Sequence, residues 1–309
     1  MRVKCNICDS DMEELFRYNR EISFLRCNRC DFIKRNPDSL MIDYGSDYVD
    51  ADFKKKSIRL ADDYYKRLSH YFRANCSVLE FGGSLGYFVK KLQDNLHCDV
   101  VNYELSDFGR NYSRKIGIKA IANLDELPED KKFDIIVSMH VIEHVSTDAL
   151  DDFVESMSEK LTHGGLLIVR TPNSNALKLH LFKKYYAWLA FPEHISFLGE
   201  KSANQLFGRH KLKILEIFSE KPHLVHYPSF SLIGSLRKLI FKFTVSEITN
   251  ASDDTETKEG FKSRIIHYFK DFFRLLVSIE SKLYLPFLFI VDYFSNEKDE
   301  LVIIAKKDA

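Results

Sequence analysis

The stretch that most constrains this chain is Val78–Phe88, reading VLEFGGSLGYF. A short apolar run ends at an acid, Glu80, and a cluster of glycines follows (Gly82, Gly83, Gly86) before residues that can continue as helix. A buried strand, a tight turn and a helix start make a small-molecule crevice in an open α/β sheet. The glycines admit backbone to within reach of a ligand where a Cβ would collide. A dinucleotide fingerprint reads G-x-G-x-x-G, whereas this stretch reads E-x-G-x-x-x-G with Ser84 near its middle. It is suited less to a pyrophosphate than to a ligand with an amine for Glu80 to hold. Alone it is a weak signal.

From Cys76 onward the chain alternates strands and helices. Strands are expected at Val78–Phe81, Asp99–Glu104, Ile118–Ile121, Phe133–Met139, Leu166–Arg170, Leu212–Phe218 and Glu300–Lys306. Helices are expected between them at Gly86–Asp94, Asp107–Lys115 and Asp148–Leu161. That alternation implies right-handed crossovers and a mostly parallel sheet. Glu104 closes the second strand 18 residues after Gly86, where an acid can accept both hydroxyls of a ribose.

Ahead of the sheet, Cys5-x-x-Cys8 and Cys27-x-x-Cys30 stand 18 residues apart. This is structural-zinc spacing: four thiolates close a tetrahedron with no open position, so the Zn2+ is structural. Alternation at Glu14–Arg17 and Ile22–Arg26 predicts a hairpin between the knuckles, too small to fold without metal. Cys76 and Cys98 read as core thiols. A helix is expected over Phe53–Tyr71, preceded by a connector or lid bearing Tyr44 and Tyr48. The chain has no signal-like N-terminus and no apolar run of about 18 residues, so a soluble cytoplasmic protein is expected. Lys plus Arg and Asp plus Glu number 45 each, which speaks against a dedicated nucleic-acid binder.

With these features in order, the sequence resembles the class I S-adenosylmethionine (SAM)-dependent methyltransferases, specifically bacterial members with an N-terminal zinc ribbon from sugar and surface-glycan pathways. VLEFGGSLGYF looks like their first motif and VVNYELS like their ribose-binding strand end. FDIIVSMHVIEHV is similar to their fourth-strand motif, GGLLIVRTPN to their fifth strand, and PEHISFLGEKSANQLF to the segment after it. The resemblance implies a Rossmann-like α/β fold with a seven-stranded sheet. It divides the chain into a zinc ribbon (1–36), a helical connector (37–75), a SAM-binding domain (76–221), a helical insertion (222–298) and a final strand (299–309).

It further implies that Glu80, Gly82, Gly83 and Gly86 hold the methionine end of SAM, that Glu104 holds its ribose, and that Asn123 and Leu124 lie along its adenine. Ser138 and His140 would line the pocket near the sulfonium, with His144 a packing or hydrogen-bonding residue. Glu193 and His194 are the candidate acid/base pair, His194 being the better base. Related sugar C-methyltransferases carry a tyrosine where this chain has Phe191. A helix is expected over Ala176–Leu189, covering the acceptor. The acceptor class implied is a small molecule, a sugar or nucleotide-sugar; DNA is not expected, and RNA methylation with the ribbon gripping substrate is the alternative, beside a non-catalytic binding module. The amphipathic segments within 222–298 leave three readings open: a cap, a homodimer interface, or contact with a membrane surface.

Overall fold

Ser77–Phe81 is buried from Val78 onward, the pattern of a strand covered on both faces. The computed structural model describes residues 3–38, 51–190, 192–221, 295 and 297–308. Expectations for Tyr44, Tyr48, Phe191 and the amphipathic segments within 222–298 lie outside the described residues.

In chain order, strands β1 (Met12–Arg17), β2 (Ser23–Cys27) and β3 (Ile33–Asn36) are followed by helix α1 (Ala51–Leu68). Then come β4 (Ser77–Phe81), α2 (Tyr87–Leu96), β5 (Asp99–Tyr103), α3 (Asp107–Lys115), β6 (Lys119–Ile121) and β7 (Phe133–Met139). The rest are α4 (Leu150–Lys160), β8 (Leu161–Pro172), α5 (Leu177–Phe182), β9 (Ser196–Phe197), α6 (Glu200–Arg209), β10 (Leu212–Glu220) and β11 (Glu300–Lys307).

All seven expected sheet strands meet in one sheet of order β10-β11-β8-β7-β4-β5-β6. Strands β4 to β8 pair in parallel, and β11 runs antiparallel to both β8 and β10. The strand order reverses between β4 and β7, so their C-terminal ends flank the crevice where such sheets bind ligands. Side chains alternate across the sheet. Val78 faces a cluster with Tyr64 and Leu68 of α1 and Phe88 and Leu92 of α2. Leu79 and Phe81 face a cluster with α4, α6 and the ribbon residues Cys5, Ile7 and Phe32.

The expected N-terminal hairpin is β1–β2, extended by β3 and then by β9 into a second sheet. Ile33 lies opposite Phe197 and Lys34 opposite Ser196, so the ribbon is stitched to residues from late in the chain. The helix expected over Ala176–Leu189 is instead the short α5 followed by 3-10 turns. Lys183, with φ of 50°, takes a left-handed conformation that ends it. Cys76 and Cys98 are buried, with Sγ atoms 3.4 Å apart.

The chain divides into two compact units. One comprises Met1–Lys184, Trp188–His226 and Glu297–Ala309 and holds both sheets; the other comprises Tyr185–Ala187 and Tyr227–Asn296. The residues discussed below belong to the first.

Candidate functional site

At the end of β4, Glu80 is 4% exposed, and its Oε2 has no hydrogen-bond partner among the described residues. Burial pushes this carboxyl up to about 8, against the pull of the Val89 N–H in the first turn of α2. The turn beside it has no room to spare. A Cβ on Gly83 would collide with Glu80 Oε2 and sit 2.5 Å from Asn102 Oδ1. Gly82 (φ 68°) and Gly86 (φ 76°) hold left-handed conformations, as does Ser84 (φ 49°).

Asn102 holds this turn in place from inside β5. It is fully buried; its Oδ1 accepts from the Gly83 N–H at 3.1 Å, and its Nδ2 donates to the Ser84 carbonyl at 3.2 Å and to Ser113 Oγ at 2.8 Å. Sequence reading missed it. The signal was present: a polar residue inside DVVNY, where β propensity disfavours asparagine. Glu104 supports the same turn, one carboxylate oxygen accepting from the Ser84 N–H and the other from the Ser106 N–H, both at 2.8 Å. Each oxygen keeps a second lone pair for a hydroxyl. Asn123 is exposed and its amide oxygen caps the next turn, accepting from the Asp125 N–H at 3.2 Å; Leu124 is half-buried against the core. Ser138, at the end of β7, is buried with its Oγ unpartnered among the described residues.

These features fit SAM. The Glu80 oxygen without a partner among the described residues suits an amine, the glycine turn lets a ligand approach its backbone closely, and the Glu104 oxygens keep lone pairs for hydroxyls.

Beyond Ser138 the chain turns sharply. His140 (φ 56°) donates its backbone N–H to the Arg170 carbonyl at 2.8 Å, and its Nδ1 lies 3.2 Å from Glu143 Oε1. Glu143 is 1% exposed, and its Oε2 accepts from Thr171 Oγ1 at 3.1 Å. Burial alone would raise Glu143, but the His140 hydrogen bond and charge, with His194 and His144 nearby, outweigh it and hold the carboxyl at about 2. Burial likewise opposes the charging of His140, and Glu143 and Glu300 overcome it and raise its pKa. The two form a buried ion pair. His140 stacks on Trp188, ring centroids 5.1 Å apart.

The pair Glu193-His194 is split. The Glu193 side chain is exposed, whereas His194 is 5% exposed and faces inward. The ring of His194 lies 4.8 Å from that of His144, and its Nδ1 is 2.6 Å from the Trp188 carbonyl. Burial pushes His194 down to about 4, against the pull of Glu143. The acid that faces His194 is therefore Glu143, which sequence reading passed over inside MHVIEHV although H-x-x-E-H already gathers three such side chains at one strand end.

The four ribbon cysteines also converge, each offering a sulfur within 4.8 Å of the others. The two knuckles match: Asp9 N–H donates to the Cys5 carbonyl at 2.9 Å and Asp31 N–H to the Cys27 carbonyl at 3.0 Å, each aspartate left-handed (φ 58° and 62°). The Cys30 thiol, against the effect of burial, pulls Cys5 down to about 5, so a thiolate is already favoured there. Four thiols gathered from two such knuckles fit zinc.

A protein family described as a methyltransferase domain matches residues 53–217. Among solved structures, the chain is similar to a SAM-dependent methyltransferase from Archaeoglobus fulgidus, with 16% identity over 84% of this chain and 100% of that one, and a TM-score of 0.51. It is also similar to the cyclopropane synthase MmaA2 from Mycobacterium tuberculosis, with 16% identity over 88% of this chain and 91% of that one, and a TM-score of 0.47. At 16% identity the likeness to the Archaeoglobus fulgidus structure is one of fold. No curated protein matches the chain.

Proposed function

The chain belongs to the methyltransferase-domain family and is a SAM-dependent methyltransferase, and on that premise we propose that its acceptor is a small molecule of the sugar or nucleotide-sugar class. SAM supplies an electrophilic methyl on a sulfonium. Glu80 would hold its amine, the Gly82–Gly86 turn its carboxylate, and Glu104 its ribose; Asn123 and Leu124 border the adenine, and Ser138 and His140 the sulfonium. The observation that carries this reading is the buried, unpartnered Glu80 oxygen against a glycine turn at the point where the strand order reverses.

The acceptor side is assigned to the next turn and to the segment bearing His194. Of the sequence-predicted pair, His194 is assigned to hold the acceptor together with Glu143 and His144, while the exposed carboxylate of Glu193 is assigned no role there. The sugar class is supported by the resemblance of the segment PEHISFLGEKSANQLF, which carries His194, β9 and α6. The ribbon is assigned one structural Zn2+. Its four thiols suit a reducing compartment, which supports the cytoplasm. No helix among the described residues is long and apolar enough to cross a membrane.

The test is incubation with SAM and a panel of nucleotide-sugars, read by mass spectrometry for an added methyl. His194→Ala should keep SAM affinity and lose at least about ten-fold in turnover, the scale of a lost positioning group, whereas Glu193→Ala should change turnover little. Methylation of RNA, with every nucleotide-sugar unmodified, would overturn the acceptor assignment.

A further inference from the structure

Two groups of side chains among the described residues have metal-ligand chemistry. The ribbon cysteines are one. The other is Glu143, His144 and His194, which the chain brings together from positions about fifty residues apart in sequence and whose ligand atoms all lie within 4.8 Å of one another. We propose that Glu143, His144 and His194 bind one divalent transition-metal ion on the acceptor side, and that this ion holds a hydroxyl oxygen of the acceptor. The inference rests on the methyl-transfer reading above and names the atom methylated.

The orientation of the two imidazoles supports it. His144 Nδ1 lies 3.0 Å from the Glu193 carbonyl and His194 Nδ1 lies 2.6 Å from the Trp188 carbonyl. A carbonyl only accepts, so each ring carries its proton on Nδ1 and its lone pair on Nε2. Metal-binding histidines are commonly fixed in this way, one ring nitrogen donating to a backbone carbonyl while the other is held toward the ion. The two rings meet edge to face, tilted 77° to each other.

Glu143 is oriented as well, by His140 on one oxygen and by Thr171 on the other. The backbone binds the two halves together, since the Ile195 N–H donates to the Glu143 carbonyl at 2.7 Å. His194 is buried and His144 half-buried.

Two imidazoles and one carboxylate suit zinc, manganese and their neighbours, and they leave coordination positions for a substrate oxygen. Such an ion would lower the pKa of a bound hydroxyl well below that of the free group. The O–H proton leaves to solvent. The oxygen then bonds to the methyl carbon as the carbon–sulfur bond breaks, its electron pair going to sulfur, so that the sulfonium becomes a neutral thioether and the acceptor a methyl ether.

The test titrates Mn2+ into the full chain after elemental analysis has shown the ribbon loaded with zinc, free Mn2+ being followed by electron paramagnetic resonance. Mn2+ prefers nitrogen and oxygen donors to the thiolates of the ribbon. The expected result is one saturable site, weakened at least about ten-fold in His144→Ala and His194→Gln. Because Glu143→Gln disturbs a buried carboxylate, the half-buried His144 is the deciding variant, and circular dichroism with SAM calorimetry establishes that it is folded. The proposal is overturned if neither Mn2+ nor a second equivalent of Zn2+ binds, or if His144→Ala binds as tightly as the unaltered chain. Failure of the methyl-transfer reading would show separately, as absence of SAM binding to the unaltered chain.

Discussion

The backbone N–H of Ile195 donates to the backbone carbonyl of Glu143 at 2.7 Å, tying the segment that carries His194 to the turn that carries His144. The carbonyl of the same Ile195 accepts from the Arg35 N–H at 2.8 Å, at the end of the ribbon strand β3. Ile195 thus sits between the ribbon and the acceptor side, and two residues further on Phe197 pairs with Ile33.

That placement predicts what zinc removal does. On the zinc assignment proposed above, the ion joins the two cysteine knuckles of a ribbon whose Ile7, Leu25 and Phe32 pack into the main core, so part of its folding free energy depends on the ion. Stripping the metal, or replacing Cys27 with Ser, releases β3 and with it the edge that positions Ile195 and His194. The Glu80 pocket stands on β4 and β5, which pair only with strands of the large sheet. Chelation should therefore lower turnover by at least about ten-fold, the scale expected when a positioned group is loosened, and leave SAM affinity within a few-fold. Loss of both together in calorimetry would show that the ribbon supports the whole fold.

Glu80 predicts a proton linkage. Its folded pKa is raised to about 8, so between the ordinary carboxylate range and about 8 the folded protein binds more protons than the unfolded chain. Its contribution therefore makes the ligand-free protein less stable as pH rises through that window. A bound amine favours the ionised form, so SAM binding near pH 6.5 should release up to one proton. Calorimetry in buffers of differing ionisation enthalpy reads the proton directly. Glu80→Gln should abolish the buffer dependence and weaken binding by about 10–100-fold, the scale of a lost charged hydrogen bond. No buffer dependence in the unaltered chain would refute the assignment.

How much of this was legible in the sequence follows from which signals are local. The strands of the large sheet show because apolar runs alternate with helical stretches, and Phe133–Met139 and Asp107–Lys115 fall where expected to the residue. The glycine turn shows because backbone conformations such as that of Gly86 demand glycine. Strand β9 does not show, being two residues long and defined only by its partners Ile33 and Lys34 on β3. Nor does the role of Glu143, since the fold alone brings His194 to it. Glu193 and His194 read as a unit by adjacency, yet Glu193 lies in a turn closed on the Ala190 carbonyl and faces solvent while His194 faces inward.

Asn102 offers a third prediction. Three hydrogen bonds of the buried amide fix the Gly83–Ser84 backbone and Ser113. Asn102→Ala strands those partners without water, at a cost of about 1–3 kcal/mol for an unsatisfied buried group. Because the Gly83 N–H is then free to turn away, SAM affinity should fall about ten-fold as well. Asn102→Asp keeps the acceptor to Gly83 and loses the donors, so its affinity should fall less at equal loss of stability. Urea denaturation and calorimetry measure the two effects separately.

The last prediction concerns charges buried behind the crevice. Arg170 on β8 is fully buried; its guanidinium pairs with Glu300 of β11 and, at 2.7 Å, with Glu220 of β10, and lies 4.7 Å over the ring of Tyr64. Glu220 also meets Arg67 of α1 at 2.6 Å, and Glu300 Oε1 stands 3.6 Å from His140 Nε2. The network spans three adjacent strands and α1, and it ends at the turn that carries His140. Arg170→Met leaves the buried Glu300 only the more distant His140 at 3.6 Å, a change that destabilises by up to about 3–5 kcal/mol. Glu300→Gln should cost less, because Arg170 keeps Glu220 and the amide oxygen can still accept. Combining the two removes the uncompensated carboxylate, so the double variant should be more stable than the sum of the single losses predicts, by an amount within the range of about 0.5–3 kcal/mol seen for residues sharing one network. Urea denaturation of the four proteins gives the cycle, and strictly additive losses would show that Arg170 and Glu300 do not act as a pair.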